Sequence, residues 1–310
     1  MSAIRSRSIR GSTSVGEAKR ARQLSARYAR AGVCLAIAWC LQQPLAQASS
    51  ITFAVIGPHE YGLPVNFDPF NVFVQYGEYQ SDTTAYDNHG NTVAGPETHT
   101  MVGLSKYVHF WSFKSVPNVG FAYEVILPEV RVQGSGLAAS GLGDPLTGPA
   151  VWIKPSANST LGFQSFLQIP VGNSEVTNNY WSNYSSLFWD AQWGQFNFDG
   201  DAGGVFSSRQ HVSGQPDRDI GTVLHANVRG SYRVADLFEP FLAVDWQHKS
   251  ADSIGGTDVA LSSSREVALG AGVMMSFSPK ISLTLRYARG VSGDNTPRTQ
   301  AGYLKYVYLF

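Results

Sequence analysis

The chain has 310 residues, of which 15% are charged and 12% aromatic, with 31 glycines. Ordinary soluble domains carry about 25% charge, so this composition favours strands over charge-rich helices. The formal net charge is zero, but eight bases (Arg5, Arg7, Arg10, Lys19, Arg20, Arg22, Arg27, Arg30) precede Ala48 against one acid, Glu17. Without that segment the chain is acidic by about seven charges, which argues against nucleic acid or an anionic membrane surface as a partner.

The basic stretch runs into an apolar core, Ala31–Leu41, and then into Pro44-Leu-Ala-Gln-Ala48. Positive region, short apolar core and A-x-A site together predict a secretory signal peptide over residues 1–48, cleaved after Ala48. The core is too short for the roughly twenty apolar residues of a spanning helix. Both cysteines, Cys34 and Cys40, fall inside it. A mature chain without cysteine has no disulfides, no Cys-ligated zinc and no thiol catalysis. Residues 49–70 have strand character only at Ile51–Ile56, and either a periplasmic lead-in or a lumen segment suits them. Residues 49–105 hold no Lys or Arg but six acids (Glu60, Asp68, Glu78, Asp82, Asp87, Glu97) and read as an acidic outer loop.

From residue 71 onward the chain alternates polar and apolar residues with period two, in segments of about ten residues. Twelve strands are predicted: 71–79, 98–113, 119–130, 145–153, 159–171, 184–193, 195–207, 219–234, 239–249, 265–278, 281–290 and 300–310. In 219–234, Leu224, Ala226, Val228 and Tyr232 alternate with His225, Asn227, Arg229 and Arg233. Successive side chains of a strand point to opposite faces, so the two faces require two environments. Leu187, Trp189 and Trp193 stand opposite Asp190 and Gln192; Phe196 and Phe198 opposite Asn197, Asp199 and Asp201. Leu242, Val244 and Trp246 oppose Asp245 and Gln247, and Leu283, Leu285 and Tyr287 oppose Arg286. In 98–113 either parity leaves a polar residue outward, Lys106 or His109, and its faces stay unassigned.

A soluble sandwich would alternate in the same way. The connections discriminate, because long loops and tight turns follow one another strictly, as in membrane barrels. Lipid offers no hydrogen bonds to an open sheet edge, so the sheet must close, first strand on last. The fold class predicted for 71–310 is an all-β, transmembrane, up-and-down antiparallel barrel in the outer membrane of a Gram-negative bacterium. Its last strand places Phe310, Tyr308, Tyr306 and Leu304 on the lipid face and Lys305 inside. A final Phe with aromatics at alternate positions fits the signal read by the outer-membrane assembly machinery, a predicted partner along with the lipid bilayer.

The predicted lumen lining is Asp190, Gln192, Asp199, Asp201, His225, Asn227, Arg229, Arg233, Asp245, Lys249, Arg286 and Lys305, with Asn197. Charges of both signs on inward faces suit either a polar pathway or a salt-bridged plug. Twelve strands lie between packed small barrels and open porins, which favours a narrow or gated route. Gly134-Ser-Gly-Leu-Ala-Ala139 matches a dinucleotide fingerprint, but no helix follows to aim amides at a pyrophosphate, so it reads as loop. Asp87-Asn-His-Gly-Asn91 has turn chemistry and lacks a calcium loop's spacing. No G-x-S-x-G or H-E-x-x-H occurs, and no catalytic, cofactor-binding or metal-binding residue is predicted.

Tyr86-Asp-Asn-His-Gly-Asn91, Tyr123-Glu-Val-Ile-Leu-Pro128, Gly141-Leu-Gly-Asp-Pro145 and Phe166-Leu-Gln-Ile-Pro-Val-Gly172 resemble the outer-membrane transporter family named for the meta-pathway of phenol degradation. That resemblance implies a transporter, in some cases encoded beside aromatic-degradation genes, and brings no catalytic residues. The expected function is passive uptake of small, aromatic or otherwise hydrophobic solutes, without cofactor. The alternative is a structural or binding barrel acting through long extracellular loops.

Overall fold

The computed structural model describes residues 57–134 and 136–310. The expected signal peptide, its two cysteines and the strand character at Ile51–Ile56 lie outside the described residues. Twelve long strands follow: β1 (Phe70–Tyr86), β2 (Thr92–Ser112), β3 (Val119–Gly134), β4 (Leu146–Ser156), β5 (Ser159–Gln168), β6 (Ser182–Trp193), β7 (Phe196–Ser207), β8 (Val223–Tyr232), β9 (Phe238–Lys249), β10 (Ser264–Ser278), β11 (Ile281–Asp294) and β12 (Gln300–Leu309). Each pairs antiparallel with its chain neighbours, and β12 pairs with β1 from Val72↔Leu309 to Gln80↔Ala301. The sheet is thereby a closed barrel. Closure is completed at the rim by Asn71 and Phe310, whose backbone groups exchange two hydrogen bonds of 3.0 Å.

The distribution of side chains is inverted relative to a soluble protein. Leu242 on the outer face of β9 is 70% exposed, whereas Asp245, three residues on, is 0% exposed. Exposure of large apolar side chains continues around the circumference through Phe73, Leu127, Phe163, Leu187, Leu224, Leu269, Leu285 and Leu304. A band of this extent would aggregate in water. In a bilayer each such side chain gains about 1.5–3 kcal/mol on leaving water. Aromatics crowd the outer face near one rim (Phe113, Trp193, Phe196, Phe238, Phe277, Phe310), the girdle expected at a membrane interface. The protein is an outer-membrane β-barrel.

That aromatic rim carries the tight connections, 113–118, 157–158, 194–195, 233–237 and 279–280. Gly194 turns one of the two-residue connections at φ 60°, a left-handed conformation that costs glycine nothing. At the opposite rim lie 135–145, 169–181, 208–222 and 250–263. The loop expected at 80–97 is mostly strand, since β1 and β2 continue to a turn at 87–91 with a bulge between Asp82 and Thr84. Beyond the bilayer neither face meets lipid, so alternation vanishes from the sequence while the backbone ladder persists. There Asp87 closes the turn by accepting from the His89 amide (2.8 Å), the Asn91 amide (2.9 Å) and the Asn91 side chain (3.1 Å). Likewise Gly134-Ser-Gly-Leu-Ala-Ala139 leads from β3 into a short returning strand, Leu137–Leu142.

The ambiguous strand is settled by position along the axis. Lys106 points inward to Glu124 at 2.5 Å. His109 points outward near the turn rim, where Asn71 hydrogen-bonds it at 2.9 Å. An imidazole at the headgroup level is tolerated where one at the bilayer centre is not. The expected acidic outer loop is corrected by the same geometry. Glu60 lies inside the barrel, and Glu78 and Asp82 are buried on the inward face of β1.

Candidate functional site

The barrel interior has two unlike halves. On β6–β9 and β11 the inward faces carry a dry ionic network. His225 Nε2 lies 3.0 Å from Asp201, whose other oxygen accepts from Asn227 at 2.9 Å. Asn197 donates to Asp190 at 3.0 Å. Asp245 receives Arg229 at 2.8 Å and also Arg286, which lies over the Tyr303 ring at 5.0 Å. The registers Asp199↔Arg229, Asp201↔Asn227 and Asn227↔Asp245 bring these groups together across adjacent strands, where side chains stand close enough to pair. Asp199, Asp201, Asn227, Arg229 and Asp245 are all 0% exposed.

The other half, on β1–β6, is mainly apolar near the turn rim, with Glu78, Lys106, Glu124 and Gln164 set among the apolar side chains. Its centre is Val72, Val74, Tyr76, Val108, Phe110, Ala122, Ala150, Trp152 and Phe188, all buried together. Two inward glycines make room for the largest rings. A Cβ on Gly120 would lie 2.2 Å from the Trp152 indole, and one on Gly162 would lie 2.2 Å from Phe188.

Residues 57–69 run through the interior across these rings, near the turn rim. Tyr61 stacks on Phe188 with centroids 4.5 Å apart, and Trp152 donates its indole N–H to the Pro64 carbonyl at 2.7 Å. Phe67 stacks on Trp152 at 6.2 Å and receives a hydrogen bond from Ser112 on its carbonyl at 2.8 Å. The segment is also held by charge. His59 contacts Glu239 at 2.7 Å, and Glu60 pairs with Lys305 and accepts from the Tyr76 phenol at 3.0 Å. Burial by itself would raise the Glu60 carboxyl, but Lys305 and Lys106 beside it outweigh that and hold it below the usual range.

At the loop rim two buried carboxylates fold the loops inward. Asp144, in the Gly141-Leu-Gly-Asp-Pro145 stretch, accepts from the Gly172 amide (2.9 Å), the Thr177 hydroxyl (2.6 Å) and the Asn178 amide (2.8 Å). Val176 thereby packs against Val130, Val132 and Ala139. Asp252 binds Arg218, Lys249 (2.7 Å) and the Gly221 amide (2.7 Å), so residues 220–222, expected as strand, leave the sheet. Tyr180 in the same region is pushed up to about 12 by burial and stays a neutral phenol.

Between these closures lies a cavity of about 960 Å³. Its wall is mainly the apolar half, and it reaches from Tyr180, Gln247 and Lys249 at the loop rim to Val307, Leu309 and Lys280 at the turn rim. Among the side chains expected to line the lumen, Lys305, Lys249 and Arg233 border this cavity. Asp190, Asp199, Asp201, His225, Asn227, Arg229, Asp245 and Arg286 are buried on the inward face behind it, in the ionic network. Gln192 sits at the turn rim, donating to the Gly194 carbonyl at 3.4 Å. Polar residues on inward faces mark the ionic network and leave the apolar wall unmarked. Its signal was present in Val119–Leu127, where both alternating faces are largely apolar.

The sequence profile described as MetA-pathway of phenol degradation matches residues 81–306. Among solved structures, the COG4313 outer membrane channel from Pseudomonas putida F1 superposes with a TM-score of 0.72 at 20% identity, covering 82% of this chain and 100% of that one. The β domain of the Bordetella autotransporter BrkA matches at a TM-score of 0.50 and 13% identity, over 78% of this chain and 99% of that one. No curated protein matches the chain by sequence.

Proposed function

The chain belongs to the MetA-pathway of phenol degradation family, and on that footing we propose that its barrel is a passive route across the outer membrane for small hydrophobic solutes, aromatic ones included. The observation that carries this reading is the apolar-walled cavity of about 960 Å³ bordered by residues of both rims. Ligand sites run from about 300 to 1,000 Å³, so a solute of one or two rings fits with room to move. Side chains such as Val74, Phe110 and Phe166 border the cavity without a fixed hydrogen-bonding pattern, which suits passage over tight retention. The solved COG4313 channel supports the reading through its fold. The family description names a pathway and leaves the solute open.

The experiment uses porin-deficient cells and the uncharged fluorophore N-phenyl-1-naphthylamine, which intact outer membranes exclude. Cells expressing the protein take the fluorophore up faster than cells without it, and Ala150→Phe, which projects a ring from β4 into the cavity, slows that gain. Equal uptake with and without the protein refutes the proposal.

We also propose that β12 is the segment presented to the assembly machinery. Deleting Phe310 removes a rim aromatic together with the two backbone bonds to Asn71. The folded, heat-modifiable form in outer-membrane fractions is expected to fall several-fold, measured by gel shift.

A further inference from the structure

Midway along the cavity wall two cations, Lys106 and Lys305, are each matched by a carboxylate, as Lys249 is at the loop rim. Lys106 meets Glu124 at 2.5 Å, Lys305 meets Glu60, and Lys249 meets Asp252 at 2.7 Å. Lys106, Glu124, Glu60 and Lys305 form one cluster where the apolar wall meets the segment 57–69, and the Tyr76 phenol caps it through Glu60. All four border the cavity. The cluster therefore presents four charges and no net charge to anything that passes.

An anionic solute reaching this point sheds water and finds each ammonium already satisfied. It must remain bare or displace a carboxylate from a buried pair, and both are costly in a medium of low dielectric. An uncharged ring loses little, because the surrounding wall is apolar. Resting on the transport reading above, we propose that the Lys106–Glu124 and Lys305–Glu60 pairs act as a charge filter that passes uncharged hydrophobic solutes and rejects their carboxylate or sulfonate counterparts. The filter works by self-neutralisation. Taking away one acid converts it into an anion site, since the lysine left behind attracts what the pair repelled.

The test compares N-phenyl-1-naphthylamine with 8-anilino-1-naphthalenesulfonate, which has nearly the same skeleton and a permanent negative charge. In porin-deficient cells the wild-type protein accelerates uptake of the neutral probe and leaves that of the sulfonate at the level of cells without the protein. Glu124→Gln, which frees Lys106, raises sulfonate uptake about tenfold, the change given by one favourable pairing of about 1.4 kcal/mol. Glu60→Gln, freeing Lys305, does the same, so two variants report should one fail to assemble by gel shift. If the sulfonate crosses the wild-type barrel as fast as the neutral probe, the filter is refuted while the transport reading stands. If an assembled Glu124→Gln or Glu60→Gln gains no sulfonate uptake, the filter is likewise overturned. Acceleration of neither probe by the wild-type protein refutes the transport reading on which the filter rests.

Discussion

Asp245→Ala is expected to lower the unfolding free energy of the barrel by about 3–5 kcal/mol, the cost of removing one partner from a buried ion pair. Asp245 is 0% exposed and bridges Arg229 on β8 and Arg286 on β11. Without it two guanidiniums remain inside the barrel, and neither can lose its proton at any accessible pH. The measurement is urea unfolding of the refolded protein in lipid vesicles, followed by tryptophan fluorescence. The triple variant Arg229→Met, Asp245→Leu, Arg286→Met should recover most of the loss, because an apolar replacement of similar volume pays no desolvation. Recovery would show that apolar side chains of similar volume can fill this side of the barrel as well as the network does. If Asp245→Ala is as stable as wild type, water reaches the network and the dry reading of this half is wrong.

Removal of residues 57–67 is expected to raise single-channel conductance several-fold in planar bilayers while the barrel still assembles. The segment crosses the interior near the turn rim, and its contacts are with inward side chains, among them the Tyr61–Phe188 stack, the Trp152–Pro64 hydrogen bond and the Glu60–Lys305 and His59–Glu239 pairs. A stacked pair contributes about 0.5–1.5 kcal/mol beyond its buried area, so losing it is tolerable for a closed sheet. The β1–β12 ladder does not involve the segment. The variant should also admit hydrophilic dyes that wild type excludes. Unchanged conductance would mean that residues 57–67 do not narrow the route.

The two halves of the barrel were not equally legible in the sequence. In Leu187–Trp193, Phe196–Asp199, Leu224–Tyr232 and Leu242–Gln247 the lipid face and the polar interior differ so sharply that period two assigns the residues to a side. In β2 the signal failed because Lys106 and His109 have opposite parity, and only their depth, one beside Glu124 and one at the rim beside Asn71, reconciles them. In β3 and β4 both faces are apolar, one toward lipid and one toward the cavity, and alternation cannot separate two apolar environments. Polar inward residues opposite an apolar lipid face stand out by contrast, and most of them belong to the ionic network. The cavity wall is where contrast is absent.

Sequence alone determined that this chain is a closed, antiparallel barrel of amphipathic strands, with tight turns at one rim and an aromatic-rich closing strand. Those properties follow from local rules, namely which side chain faces lipid and how far a strand must run to cross it. Tertiary structure alone decided that the inward charges pair off in a dry network, that residues 57–69 cross the interior, and that Asp144 and Asp252 draw the loops over the mouth. Each depends on side chains far apart in the chain meeting across an enclosed space, as Glu60 meets Lys305. Periodicity fixes the face of a residue and is silent about what stands opposite it.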